Sequence, residues 1–121
     1  MKLVQVKKEP QSMIVTTTLD VQGYEITEYL GVVRGITVRS PTISQGFLGG
    51  LKSIIGGQIG SFTNMCDDAR QQAFEYMLGH AEHLGADAIV GVRYDASDVG
   101  HNISATEVLC YGTAVRLSKI V

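Results

Sequence analysis

Four side chains on this chain carry the chemistry to hold a soft metal ion: Cys66, Cys110, His80 and His83. Soft ions take thiolate sulfur and imidazole nitrogen, and they need several such donors converging within a few ångströms. The chain has no Cys-x-x-Cys pair and no histidine pair four positions apart. Cys66 and His80 share a face of a helical pattern but lie nearly four turns apart, roughly 21 Å along the axis. One helix therefore cannot bring both to the same ion. His80 and His83 are three positions apart, close enough to chelate on a helix surface, and equally placed to pack or to line an interface. Cys110 stands between Leu109 and Tyr111 in a strand-like run, where a small buried thiol is the ordinary use of cysteine. Symmetry offers another route, because identical positions of neighbouring subunits converge on an axis and build a site that single-chain spacing does not reveal.

Harder donors gather at Asp95, Asp98, His101, Asn102 and Glu107. A calcium loop started at Asp95 has Gly100 at its sixth position, but Val99 and Thr106 stand at the fifth and twelfth, where ligands belong. The segment reads as a solvated hairpin turn. The glycines from Gly46 to Gly60 invite a phosphate reading, yet Lys52-Ser53 follows Leu51 rather than a glycine, and no Gly-x-Gly-x-x-Gly occurs. A helix start near Ser61-Phe62-Thr63 offers free amides, for which capping is the ordinary role. Nucleophilic catalysis needs a base in reach and an acid to orient it. The residue types are present without that spacing, so nothing commits the chain to being an enzyme.

The elements that must position these groups follow from pattern. A chain of 121 residues is one domain. Residues 1–12 are polar, carry Pro10 and read as a tail or extension, and residues 13–121 as a single domain. With 45% apolar and 18% charged residues the composition is globular. So little charge on a small domain suggests that part of its surface is covered by another subunit. A net charge of -2 lacks the basic footprint of a nucleic-acid binder. No apolar run of about 18 residues predicts a membrane span, and two cysteines without a secretory leader fit a reducing compartment, so a cytoplasmic location is expected.

Met13–Thr18 is rich in β-branched residues and predicts a short strand. Tyr24–Arg39 predicts one bent strand, or two joined at a bulge, because Gly31 and Gly35 interrupt it. Ile43, Phe47, Leu48, Leu51, Ile54 and Ile55 predict a short apolar helix that Gly56-Gly57 ends. A long helix is expected from about Ser61 to Leu84, with Phe62, Cys66, Ala69, Ala73, Met77, His80 and Leu84 on one face. Its acids near the start, Asp67 and Asp68, would favour the helix dipole, and Gly85 would end it. A central strand follows over Ala86–Ala96, with Ala88, Val90, Val92 and Tyr94 on one face. The last strand, about Ser104–Leu117, places Leu109, Tyr111, Val115 and Leu117 on one face and Val108, Cys110, Gly112 and Ala114 on the other. Both faces are apolar, so both require cover. The helices cover one, and a partner chain is expected on the other. The fold class is α+β: a small mixed or antiparallel sheet packed by one short and one long helix.

At Gly31-Val-Val-Arg-Gly35, Gly56-Gly57, Leu84-Gly-Ala-Asp-Ala-Ile-Val-Gly91 and Tyr111-Gly-Thr-Ala-Val115 the chain resembles the YbjQ-like family, over roughly Met13 to Leu117. The resemblance implies an α+β subunit related to dodecin-like folds, assembling into a homopentameric ring or a multiple of it. It also carries the family's heavy-metal-binding label, with no ligand motif to transfer residue by residue. The expected function is therefore a ring-forming cytoplasmic oligomer that binds a soft divalent metal ion or other small ligand at subunit boundaries, with no nucleic acid or membrane partner. The alternative is a structural scaffold without metal whose partner is another protein.

Overall fold

The computed structural model describes residues 13–40, 58–100 and 105–121. Their elements run β1 (Ile14–Val15), β2 (Tyr24–Arg39), α1 (Gln58–His83), β3 (Ala88–Asp98) and β4 (Thr106–Lys119). The strands form one sheet in the order β1-β3-β4-β2. β1 is parallel to β3, and β4 is antiparallel to both β3 and β2. β2 and β3 thus run in the same direction with β4 inserted between them, and α1 makes the crossover. This is the split β-α-β arrangement, and the fold is α+β with a mixed sheet, as the sequence predicts. The short helix expected over Ser44–Ile55 lies outside the described residues.

Bulges decide which residues share a face. The pairing of β2 with β4 shifts between Ile26 and Glu28 and again between Tyr29 and Gly31. Gly31 takes a φ of 116°, a conformation that favours glycine. The run is one bent strand. On β3 the register shifts between Val90 and Arg93, with Gly91 at a φ of 64°. That extra residue overturns the simple alternation expected there. Val92 joins Ile89 in the core beneath α1, while Ala88 and Val90 pack with Val115 on the opposite face. Tyr94, two residues after Val92, pairs with Cys110 rather than facing away from it.

α1 begins at Gln58, three residues earlier than expected, and has no acid in its first turn. Asp67 and Asp68 lie too far along to feel the dipole strongly. The helix buries Ala69, Ala73, Met77 and Ala81, one residue every four. Small side chains at three of these positions let it lie close on the sheet. Cys66 falls off this ridge because it is three positions, not four, from Ala69, and it is exposed. The C-terminus closes as a Schellman motif: Gly85 N–H donates to Glu82 C=O at 3.0 Å, Ala86 N–H to Ala81 C=O at 3.1 Å, and Gly85 has a φ of 77°. Asp87 then ties the turn to β4. Its Oδ2 accepts from Leu117 N–H at 2.9 Å and lies 3.5 Å from Arg116 Nε, while its own N–H donates to Val115 C=O at 2.9 Å.

At Gly35 the backbone of α1 comes directly against β2. A β-carbon built there would run into Ala73 O and would lie 2.6 Å from Met77 N and 2.7 Å from Tyr76 Cβ. Glycine lets the helix backbone rest directly on β2.

Candidate functional site

The soft donors divide between surface and core. Cys66 is exposed on the N-terminal half of α1, and His83 is exposed in its last turn. His80 is half-buried, and its Nδ1 accepts a hydrogen bond from Arg34 N–H on β2 at 3.3 Å. The imidazole thereby covers an amide of an edge strand, one way to blunt such an edge. Cys110 is fully buried at the middle of β4. Among the described residues, no three His, Cys, Asp or Glu side chains come together in a way that would hold an ion. The four predicted donors are therefore not assembled into one site within a single subunit.

Sequence spacing did not single out what surrounds Cys110. Its Sγ lies 3.7 Å from the Sδ of Met77, and both side chains are sealed from solvent. Met77 comes from the buried ridge of α1, and Cys110 is the register partner of Gly35, over which the helix passes. The bare glycine lowers α1 far enough for the two sulfurs to touch. Tyr94 is the cross-strand partner of Cys110 on β3, and its phenol interacts with the thiol. The Arg70 guanidinium lies over the Tyr94 ring at 5.5 Å from its centroid, a cation–π contact. Burial pushes the Cys110 thiol above its ordinary value, and the Tyr94 hydrogen bond offsets part of this. Tyr94 is raised as well, first by burial and then by its interaction with Cys110, against an opposing pull from Arg70. The thiol is therefore held protonated and unreactive in the resting protein. Met77 was legible as a core methionine, but its pairing with Cys110 depends on helix docking.

The hard donors resolve as a hairpin. β3 ends at Asp98 and β4 starts at Thr106, joined by Val99 N–H donating to Ala105 C=O at 2.9 Å. Asp95 uses Oδ1 to accept from Ala96 N–H at 3.0 Å, and Glu107 pairs in register with Ser97. His101 and Asn102 lie outside the described residues. A shallow depression lined by Thr18, Asp20, Gln22, Tyr24 and Ile120 contains no thiol or imidazole.

The face of the sheet away from α1 has the largest chemical consequence. Register places Val32, Arg34, Ile36 and Val38 of β2 beside Thr113, Tyr111, Leu109 and Glu107 of β4. Val33, Gly35 and Thr37 face the helix and are buried, whereas Val32 is 65% and Val38 53% exposed. Tyr29, opposite Val115, is 71% exposed. Among the described strands β2 also lies at the sheet's edge, and it is 16 residues long. No helix among the described residues is long and apolar enough to cross a membrane.

The family described as "Putative heavy-metal-binding" (YbjQ_1) matches residues 13–118. A UPF0145 protein of Legionella pneumophila (strain Corby) is 55% identical over 104 residues, covering 86% of this chain and 97% of that one. A UPF0145 protein of Francisella tularensis subsp. tularensis (strain WY96-3418) is 57% identical over 103 residues, covering 85% and 97%. The crystal structure of a protein of unknown function from Pediococcus pentosaceus, of the DUF74 family, superposes with a TM-score of 0.55. It is 23% identical and covers 88% of this chain and 98% of that one, a likeness of fold. A match from residue 13 to residue 118, with relatives more than half identical across most of the chain, places it in one family: the chain belongs to the YbjQ-like family, whose description reads "Putative heavy-metal-binding".

Proposed function

We propose that this chain works as a cytoplasmic ring-forming homo-oligomer, a homopentamer or a multiple of it, that binds a soft metal ion or other small ligand where subunits meet. The observation that carries this reading is the outer face of β2, where Tyr29, Val32, Ile36 and Val38 are exposed. Fully burying an exposed Val or Ile side chain contributes about 1.5–3 kcal/mol; these are about half to two-thirds exposed, so a second copy docking there gains a corresponding part of that from each. The edge of β2 offers backbone donors and acceptors to the same neighbour. Assembly would also repeat the exposed Cys66 and His83 around an axis, which supports building a thiolate and imidazole site that one subunit lacks. The family's description supports the choice of a soft metal.

A second reading, a metal-free scaffold, is favoured by the employment of two of the four donors. Cys110 is in contact with Met77, and His80 Nδ1 accepts from Arg34. Native mass spectrometry of protein purified without added metal separates the readings, because it reports subunit count and retained ligand together. A ring carrying a soft ion, with calorimetric uptake reduced by Cys66→Ser or His83→Ala, is the expected result. A ring that takes up no soft ion supports the scaffold, and a monomer at micromolar concentration overturns both.

A further inference from the structure

One amide on the outer edge of β2 is already taken. Arg34 N–H donates to Nδ1 of His80 on α1 at 3.3 Å, so it points away from β4. A backbone N–H only donates, so Nδ1 must offer a lone pair and the neutral ring carries its proton on Nε2. Protonation places a hydrogen on Nδ1, which then faces the N–H it had accepted from, and the bond is lost. Histidine is the side chain that makes this change between about pH 5 and 8. We propose that His80 is an acid-sensitive latch on the edge of β2. Neutral, it occupies the Arg34 amide; protonated, it releases that amide to a strand of a second copy of this chain.

The elements packed around the ring do not pin its charged form. α1 packs against β2, β4 and β3. The charged and titratable groups they bring toward this end of α1 are Arg34 and Glu28 on β2, Arg116 on β4 and Asp87 just before β3. On α1 itself Tyr76 and His83 stand about one turn away. Asp87 is committed to Arg116, and among the described residues no carboxylate lies within ion-pair distance of His80. The ring is half-buried, so it reaches solvent by turning about its side-chain bonds without opening the core. A second copy is the occupant because the edge is continuous with an apolar face: Val32, Ile36 and Val38 flank Arg34 on the same strand and are exposed. An open edge beside such side chains is a template for another chain. The inference rests on the proposed function in taking β2 as the strand that meets a neighbour. It does not draw on Cys66 and His83, the donors of the proposed boundary site.

The test is hydrogen exchange of the full-length chain at single-residue resolution from about pH 8 to 5, corrected for the intrinsic pH dependence of exchange. Protection of the Arg34 amide should fall about fivefold on acidification, the loss of one ordinary hydrogen bond, while the amides of the central strand β4 keep theirs. His80→Gln retains an acceptor that does not titrate and should hold Arg34 protected throughout. His80→Phe keeps a ring without an acceptor and should leave Arg34 unprotected throughout. Arg34 protection that ignores pH in the parent, or that falls equally in His80→Gln, overturns the latch. Sedimentation over the same range reads the consequence: the parent should gain mass on acidification and His80→Gln should not. Mass that rises equally in both overturns the coupling to a second copy. A chain that is monomeric at every pH removes the ring reading and the second copy with it, whereas the Arg34 readout decides the latch independently.

Discussion

Replacing Gly35 by alanine adds one methyl group at the place where β2 and α1 touch through their backbones. The new carbon would lie 2.6 Å from Met77 N and 2.7 Å from Tyr76 Cβ, and against Ala73 O. Ordinary contacts begin near 3.4 Å, so the helix backbone must give by 0.8 Å at Met77 N and by more than that at Ala73 O. Overpacking a core costs about 1–3 kcal/mol. The atoms that must yield here are helix backbone rather than a flexible side chain, which puts the expected loss near 3 kcal/mol. With a urea slope of about 1.5 kcal/mol/M, the unfolding midpoint should fall by about 2 M. Circular dichroism against urea measures this, at one fixed protein concentration because an oligomer's stability depends on it. Gly79→Ala is the matched control. A methyl there meets nothing within 4 Å, and replacing glycine inside a helix should raise stability by about 0.5–1 kcal/mol. A Gly35→Ala midpoint within about 0.3 M of the parent would refute the reasoning. Equal losses in both variants would refute it too, because the effect would then not come from the contact.

Two further outcomes follow from the buried thiol. In the native protein Cys66 should react with a thiol reagent at once and Cys110 only as fast as the core opens, so labelling should show one fast site and a second that appears in denaturant. Stability should also respond to alkali. Burial raises Cys110 above 9.0 and Tyr94 above 10.0, so the unfolded chain ionises first. Stability is then fully present below pH 9 and declines as pH rises through the raised native values. Cys110→Ala should remove the earlier part of that decline in urea midpoints measured from pH 7 to 11, and an unchanged profile would contradict the burial argument.

Much of the subunit was legible in sequence because its signals are local. The helix ending at Gly85, the two faces of β4 and the strand over Tyr24–Arg39 each follow from residues within a few positions of one another. The last strand's alternation, Leu109, Tyr111, Val115 and Leu117 against Val108, Cys110, Gly112 and Ala114, likewise followed from strand periodicity alone. The candidate donors were named from their types, and their wide spacing already told against a site on one helix.

The rest depended on how the elements meet. A bulge at Gly91 moves Val92 and Tyr94 to the helix side of the sheet, which alternation cannot foresee because one extra residue inverts every position beyond it. Gly35 looked like an interruption in a strand, and only docking of α1 shows why a side chain is excluded there. The pairing of Met77 with Cys110 joins positions 33 residues apart, through a separation set by helix–sheet approach rather than by any motif. Sequence determined the elements and most of the helix's buried ridge, because Ala69, Ala73 and Met77 recur at helical spacing. Tertiary structure alone decided which sulfur meets which, because that depends on the distance between a helix and a sheet.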